Sequence, residues 1–332
     1  MKLKRILSFI LAAVMVLSYL PETASIARAA EDYNLLTNGS FDQGETGWGK
    51  NGHFTAGSVQ DGNLVISTTK TSTGDAIFYQ GMNLAPGTYQ LTFDGKGTAN
   101  TYRPLLYIGI NQWSKVYGEH FLKNFGFGEE WKTATVQFTV PASAANSGTG
   151  LAPVFVSLWT SNGSYAPETE MRFDNFSVRK LLSVTTELDN AALSTTVNTV
   201  AQGQSYVNTV TAASGFGISK VTVTMGGVEV ADAYDAATGK ISVAAVTADL
   251  AIKVETVPVV KVTAELNHAA LSTEITETPL DQAYENTVTA EAGYEVSKVT
   301  VTMGGAEVPN AYNATTGKIA IAAVTGDLAI QV

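Results

Sequence analysis

Arg103, Tyr107, Asn111 and Trp113 recur at one parity within Tyr102–Trp113, and Phe155, Ser157 and Trp159 do the same within Val154–Thr160. Successive side chains of a strand point to opposite faces, so each set would line one side of its strand. The other sides read as core: Tyr102, Leu106, Ile108 and Ile110 in the first stretch, Val154, Val156 and Leu158 in the second. Two strands would thus offer aromatic rings mixed with polar groups on a face turned away from the core. Such a face suits a ligand with a polar rim and an apolar surface, as a sugar ring has. Tyr107, Trp113 and Trp159 are the expected stacking platforms, and Arg103 and Asn111 the expected hydrogen-bond donors. Trp48 is a further candidate for the same ligand.

Hydrolytic chemistry finds less support. Cleaving a glycosidic bond takes two carboxylates flanking it. The acids near the aromatic stretch are Glu119, Glu129, Glu130, Glu168 and Glu170, and Glu129-Glu130 falls in an expected turn before Trp131. His53, His120 and His268 form no metal-spaced pair. Neither a G-x-S-x-G elbow nor a phosphate-binding loop occurs.

The elements that must carry these residues read as strands throughout. Expected strands are Asn63–Thr68, Asp75–Gln80, Thr88–Asp94, Tyr102–Trp113, Thr133–Val140, Ala152–Thr160 and Glu170–Arg179. Turn clusters such as Pro86-Gly87 and Ser161-Asn162-Gly163 separate them, and no helical stripe interrupts them. Many short strands with regular turns imply a β-sandwich. The fold class expected is all-β.

Before this module, Lys2, Lys4 and Arg5 precede an apolar run from Ile6 to Leu20, and Ala27-Arg28-Ala29 supplies a cleavage site. Residues 1–29 are therefore expected to be a signal peptide and the protein to be secreted, extracellular or associated with the cell surface. Cleavage would bring the net charge from −10 to −13. A net acidic chain repels phosphate backbones and anionic lipid, so neither nucleic acid nor, after signal removal, membrane is an expected partner. The chain has no cysteine, so disulfides cannot stabilise it outside the cell.

The C-terminal part is a duplication. Val184–Val254 and Val262–Val332 align without a gap at a spacing of 78 residues, with 44 identities in 71 positions. Each copy alternates as strands do, in Ser219–Gly227 and Ser297–Gly305. Gly226-Gly227 and Thr238-Gly239 are expected hairpin turns. Glu255–Lys261, carrying Pro258, is the expected linker. The expected domains are 31–181, 182–256 and 260–332, the last two being small tandem β-sandwiches. The copies resemble immunoglobulin-like repeats of Gram-positive surface proteins, which implies a spacer or adhesive role.

The first module also carries a resemblance. Asn34–Asp42 (NLLTNGSFD), Gly47-Trp48, Pro86–Leu91 (PGTYQL), Glu130-Trp131-Lys132 and Arg172–Val178 (RFDNFSV) occur in the order found in CenC-type carbohydrate-binding modules of families four, nine, sixteen and twenty-two. The resemblance implies a jelly roll that binds polysaccharide or oligosaccharide without cleaving it, alone or as the targeting part of an extracellular glycanase. It assigns Asn34–Asp42 to the opening strand, and Trp131 and Tyr89 to packing. It also implies a structural Ca2+ that ties the first and last strands through Asp42 and Asp174, with a donor near Asn63 or Ser40. The alternatives are a glycoside hydrolase acting on plant or cell-wall polysaccharide, and an adhesin whose partner is the cell envelope.

Overall fold

The computed structural model describes residues 33–52, 57–68, 74–97, 105–162 and 169–332. The expected signal peptide and Tyr102, Arg103 and Pro104 lie outside them. The chain divides into two compact units: residues up to Ser183 with Thr199–Ser205 and Ala244–Asp249, and the remainder from Val184.

The first unit contains β1 (Gly49–Gly52), β2 (Gly57–Gln60), β3 (Asn63–Thr68), β4 (Gly74–Leu84), β5 (Gly87–Gly97), β6 (Leu105–Gly109), β7 (Gly118–Phe121), β8 (Lys132–Val140), β9 (Ala152–Asn162) and the first part of β10 (Thr169–Leu188). One sheet runs β1-β4-β9-β6-β7 and the other β2-β3-β10-β5-β8, all antiparallel. Without the short edge strands β1 and β2, the eight others renumber as 2-7-4-5 facing 1-8-3-6, the jelly-roll order. The sheets meet because alternate residues of each are apolar. Phe78, Val154, Val156, Leu158, Leu106 and Ile108 from one share a core with Leu64, Leu91, Phe93, Val136, Phe138 and Phe173 from the other.

The stretch Asn34–Asp42 is not a strand. It is tied to β10 by side chains and by isolated backbone bonds. Asn34 Nδ2 donates to Phe176 O at 2.8 Å, while its Oδ1 accepts from Leu36 N and Val178 N, both at 3.0 Å. Leu35 N donates to Val178 O and Phe176 N to Gly39 O. A Cβ on Gly39 would lie 1.9 Å from Phe176 O, so only glycine permits this approach. Gln80, buried in β4, closes the other side by pairing both amide atoms with the Thr37 backbone. An amide side chain here replaces the ladder that a strand would have made.

The second unit holds both repeats. The first copy uses the end of β10, β11 (Ala191–Leu193), β13 (Tyr206–Ala212), β14 (Phe216–Met225), β15 (Val228–Glu229), β16 (Tyr234–Asp235), β17 (Lys240–Val243) and the start of β18 (Leu250–Glu265); β12 (Thr199–Ala201) belongs to the first unit. The second copy uses the end of β18, β19 (Ala269–Leu271), β20 (Glu277–Pro279), β21 (Tyr284–Ala290), β22 (Thr300–Met303), β23 (Ala306–Glu307), β24 (Tyr312–Asn313), β25 (Lys318–Ile321) and β26 (Leu328–Gln331). In each copy the first strand runs parallel to the last, Val184 facing Leu250 and Val262 facing Leu328. Gly226 and Gly227, at φ 59° and 83°, turn the β14–β15 hairpin.

Glu255–Lys261 is not a linker. It lies within β18, where Pro258 pairs with Phe216 and its carbonyl accepts from Leu280 N. Proline lacks a donor but keeps its acceptor, so the ladder passes through it on that side.

Each copy buries one amide. Asn286 Nδ2 donates to Thr273 O at 2.7 Å and to Tyr284 Oη at 3.1 Å, and its Oδ1 accepts from Ser272 Oγ at 2.9 Å. Asn208 repeats this set with Thr195, Tyr206 and Ser194.

Candidate functional site

The outward face of β1-β4-β9-β6-β7 is built in rows set by register. One row reads Asn51, Ile77, Trp159, Leu105 and Phe121 from edge to edge. The next reads Gly49, Tyr79, Ser157, Tyr107 and Glu119, and a third Gly81, Phe155 and Gly109. Three adjacent strands therefore place Tyr79, Phe155, Trp159 and Tyr107 together on one face.

Glycines set how these rings lie. A Cβ on Gly49 would meet the Tyr79 ring at 2.7 Å, and one on Gly81 the Phe155 ring at 2.7 Å. Each ring thus lies over a glycine of the neighbouring strand, the two planes tilted 47° to each other. Tyr79 and Phe155 are 6.0 Å apart between centroids. Trp159 stacks on Tyr107 at 5.4 Å and 23°. Tyr107 is only 9% exposed and has Lys115 Nζ 5.9 Å from its ring centre, so it supports Trp159 more than it offers a free face. Ser157, between Tyr79 and Tyr107, is fully buried and its Oγ meets no partner among the described residues.

Trp113 and Asn111 are placed otherwise than strand parity implies. β6 ends at Gly109, whose missing Cβ makes room for Ser114 O. The chain then turns: Asn111 Oδ1 accepts from Trp113 N at 2.9 Å, so Asn111 shapes the β6–β7 hairpin. Trp113 projects from that hairpin at 50% exposure, near the exposed Ile110 and Val116. Lys115 and Glu119 close the hairpin's flank at 2.8 Å. Glu119 is the single carboxylate among the described side chains of the face.

Trp48 is not on this face. It is 8% exposed, stacks on Phe78 at 5.1 Å and 14°, and donates its Nε1–H to Asn38 O. Its ring lies within the core, closed off by Phe41 and Phe176. Tyr89 is a packing residue, stacked on Phe138 with its hydroxyl on Ala85 O. Trp131 is not: it is 41% exposed, with Lys96 Nζ 4.8 Å from its ring centre.

The acids expected to bind metal approach one another near Asn175. Burial raises the Asp174 pKa, Asp42 and Asp94 raise it further, and the Asn175 N–H opposes them. Asp94 accepts from Thr133 and from Asn175 Nδ2, and Asp42 from Ser40 Oγ at 2.8 Å. None of the three forms an ion pair among the described residues. Asp174 lines a depression with Asn63 and Asp94, whereas Asp42 lines a neighbouring one with Asn34, Ser40 and Asn175. No three His, Cys, Asp or Glu side chains converge as a metal cluster among the described residues. The donor set is hard oxygen with few charges, which suits an ion completed by neutral oxygens.

No protein-family model and no curated protein matches the chain. Solved structures match part of it. A CBM4 module is 21% identical, with 43% of this chain and 97% of that chain covered and a TM-score of 0.31. A second module of carbohydrate-binding family 16 is 23% identical, with 44% and 99% covered and a TM-score of 0.31. The N-terminal cellulose-binding domain of Cellulomonas fimi β-1,4-glucanase C is 16% identical, with 46% and 97% covered and a TM-score of 0.31.

Proposed function

We propose that the first unit binds neutral polysaccharide on the outward face of β1-β4-β9-β6-β7, without cleaving it. The observation that carries this is the set of aromatic rings gathered on one face of three adjacent strands, with Trp113 exposed on the β6–β7 hairpin of the same sheet. Flat rings stack on the C–H faces of pyranose units. The face has one described carboxylate, already paired with Lys115, where hydrolysis needs two. Export of the chain and a spacer role for the repeats belong to the same proposal. Affinity electrophoresis against soluble glucans, xylans and mannans tests the proposal, with reducing-sugar release followed in the same samples. Retardation without sugar release is expected; release would overturn the non-catalytic reading, and no retardation on any glycan the binding reading.

Asp42 and Asp174 are further proposed to hold a calcium ion, with neutral oxygens such as those of Ser40 and Asn63. Support comes from the nearness of Asp42 and Asp94 to Asp174; Lys96 and Arg172 line the same depression as Asp174, so the ion would share it with two cations. A bound ion would tie Asn34–Asp42 to β10. Added Ca2+ should raise the Tm of the chelated protein, and Asp174→Asn should remove the rise; an unchanged Tm in the parent chain would rule the ion out.

A further inference from the structure

The sheet β2-β3-β10-β5-β8 has an outward face of its own, and Trp131 stands at its β8 side. Other rings fill the core at this end of the sandwich. Phe125 and Phe127 lie 5.5 and 6.0 Å from Phe93, and a Cβ on Gly95 would meet the Phe127 ring at 2.8 Å. Gly97 N donates to Gly128 O and Lys132 Nζ to Phe125 O, which folds the stretch before β8 against the end of β5. The core is thus complete without Trp131, whose indole is left 41% exposed.

Register surrounds that indole with charge. Phe93 and Phe173 point into the core, so Asp94, Lys96, Arg172 and Asp174 point out. Arg172 faces Lys96 and Asp174 faces Asp94 across β5 and β10. Gly95 faces Lys132 across β5 and β8, which brings Trp131 beside Lys96. These residues and Asn63 line a depression of about 390 Å³. Its polar groups are held in place but not used up. Thr133 Oγ donates to Asp94 Oδ1 at 2.5 Å and Asn175 Nδ2 to Oδ2 at 2.9 Å, and a carboxylate has lone pairs beyond these two. Arg172 spends its Nε on Glu170 at 3.2 Å and keeps its terminal N–H groups. Lys96 forms no ion pair among the described residues; its Nζ lies 4.8 Å from the centre of the Trp131 ring. Counted together, Arg172 offsets Glu170 and Lys96 offsets Asp94, which gives an anion no field to follow. Hydroxyl groups donate and accept at once, so they match a lining of both kinds beside an aromatic ring.

We propose that this depression is a second carbohydrate site, holding a neutral pyranose unit against Trp131. Hydroxyls of the sugar donate to Asp94 and accept from Lys96 and Arg172. The site shares no residue with the face of β1-β4-β9-β6-β7 and lies on the other side of the sandwich, so it goes beyond the binding proposed there. A module with a site on each side can hold two glycan strands, or two stretches of one, and gains avidity without a new contact on either side.

The test uses the full chain, whose four tryptophans give four indole N–H signals in a nitrogen-15 correlation spectrum. Replacing each in turn with phenylalanine assigns them. Oligosaccharides cut from the glucans, xylans and mannans are titrated in, with Ca2+ held constant so that Asp174 is in the same state throughout. The Trp131 signal is expected to shift on at least one neutral oligosaccharide while that of the enclosed Trp48 stays still. Lys96→Met should weaken the affinity read at Trp131 about fivefold and leave the affinity read at Trp113 as it was. Trp113→Ala should leave the Trp131 titration as it was. The proposal fails if the Trp131 signal stays still on every neutral oligosaccharide, if it answers only to oligosaccharides carrying glucuronate, or if Trp113→Ala abolishes its shift. Shifts at Trp113 and Trp159 alone would overturn this site and keep the first face; a shift at Trp131 alone would do the reverse.

Discussion

Replacing Trp113 with alanine should separate binding from folding. The ring is 50% exposed on the β6–β7 hairpin, and the one bond made by its residue in the turn comes from the backbone N–H, which alanine keeps. Of roughly 250 Å² on a tryptophan, about 120 Å² is open to ligand, and a sugar covering one ring face takes about 60 Å² of it. At ~25 cal/mol per Å² that is ~1.5 kcal/mol, or about tenfold in affinity. Affinity electrophoresis against the retarding glycan should show this loss, with Tm unchanged. Trp48→Ala is the counterpart. It removes a core ring and should cost ~3–5 kcal/mol in stability without lowering the affinity of the molecules that remain folded. Undiminished retardation of Trp113→Ala would refute the assignment of this hairpin to the binding face.

Gly39→Ala should destabilise the first unit by about 3 kcal/mol in denaturant titration, because its Cβ would overlap Phe176 O. Asn286→Ala should cost about 1–3 kcal/mol by leaving Thr273 O and Tyr284 Oη without their donor, and Asn208→Ala should cost about the same in the first copy. His120 faces inward at the β6–β7 edge, where burial pulls its imidazole pKa below the ordinary value and Glu119 partly opposes this. The folded state thus favours the neutral ring, so its contribution is present above about pH 6.5 and lost as pH falls. Thermal melts from pH 7.5 to pH 5 should show that loss, and His120→Gln should flatten it.

Alternation carried most of the fold. β3 spans Asn63–Thr68 as its residues imply, and Val154, Val156 and Leu158 point into the core while Phe155, Ser157 and Trp159 point out. The face was legible in part. Tyr79 and the glycines beneath the rings were not, since glycine carries no periodic signal and cross-strand neighbours depend on register. Parity misled beyond Gly109, where Asn111 forms a turn, a preference of its side chain that could have been read. Trp48 failed as a candidate because a Gly-Trp pair does not reveal that Phe41, Phe78 and Phe176 enclose the indole. Pro258 suggested a linker because proline usually ends strands, but its carbonyl remained usable.

The parallel pairing of entering and leaving strands decides how a repeat meets tension. Val184–Leu188 and Leu250–Val254 point the same way, as do Val262–Glu265 and Leu328–Gln331. A pull on the two ends of one repeat drags these neighbours past each other lengthwise. The hydrogen bonds between them are then loaded together, in shear, rather than peeled one after another. β18 is at once the last strand of one copy and the first of the next, so no slack chain intervenes to take up the force. A tether of this kind would fail by crossing one high barrier per repeat, and its lifetime under flow would follow the unfolding rate rather than the equilibrium stability.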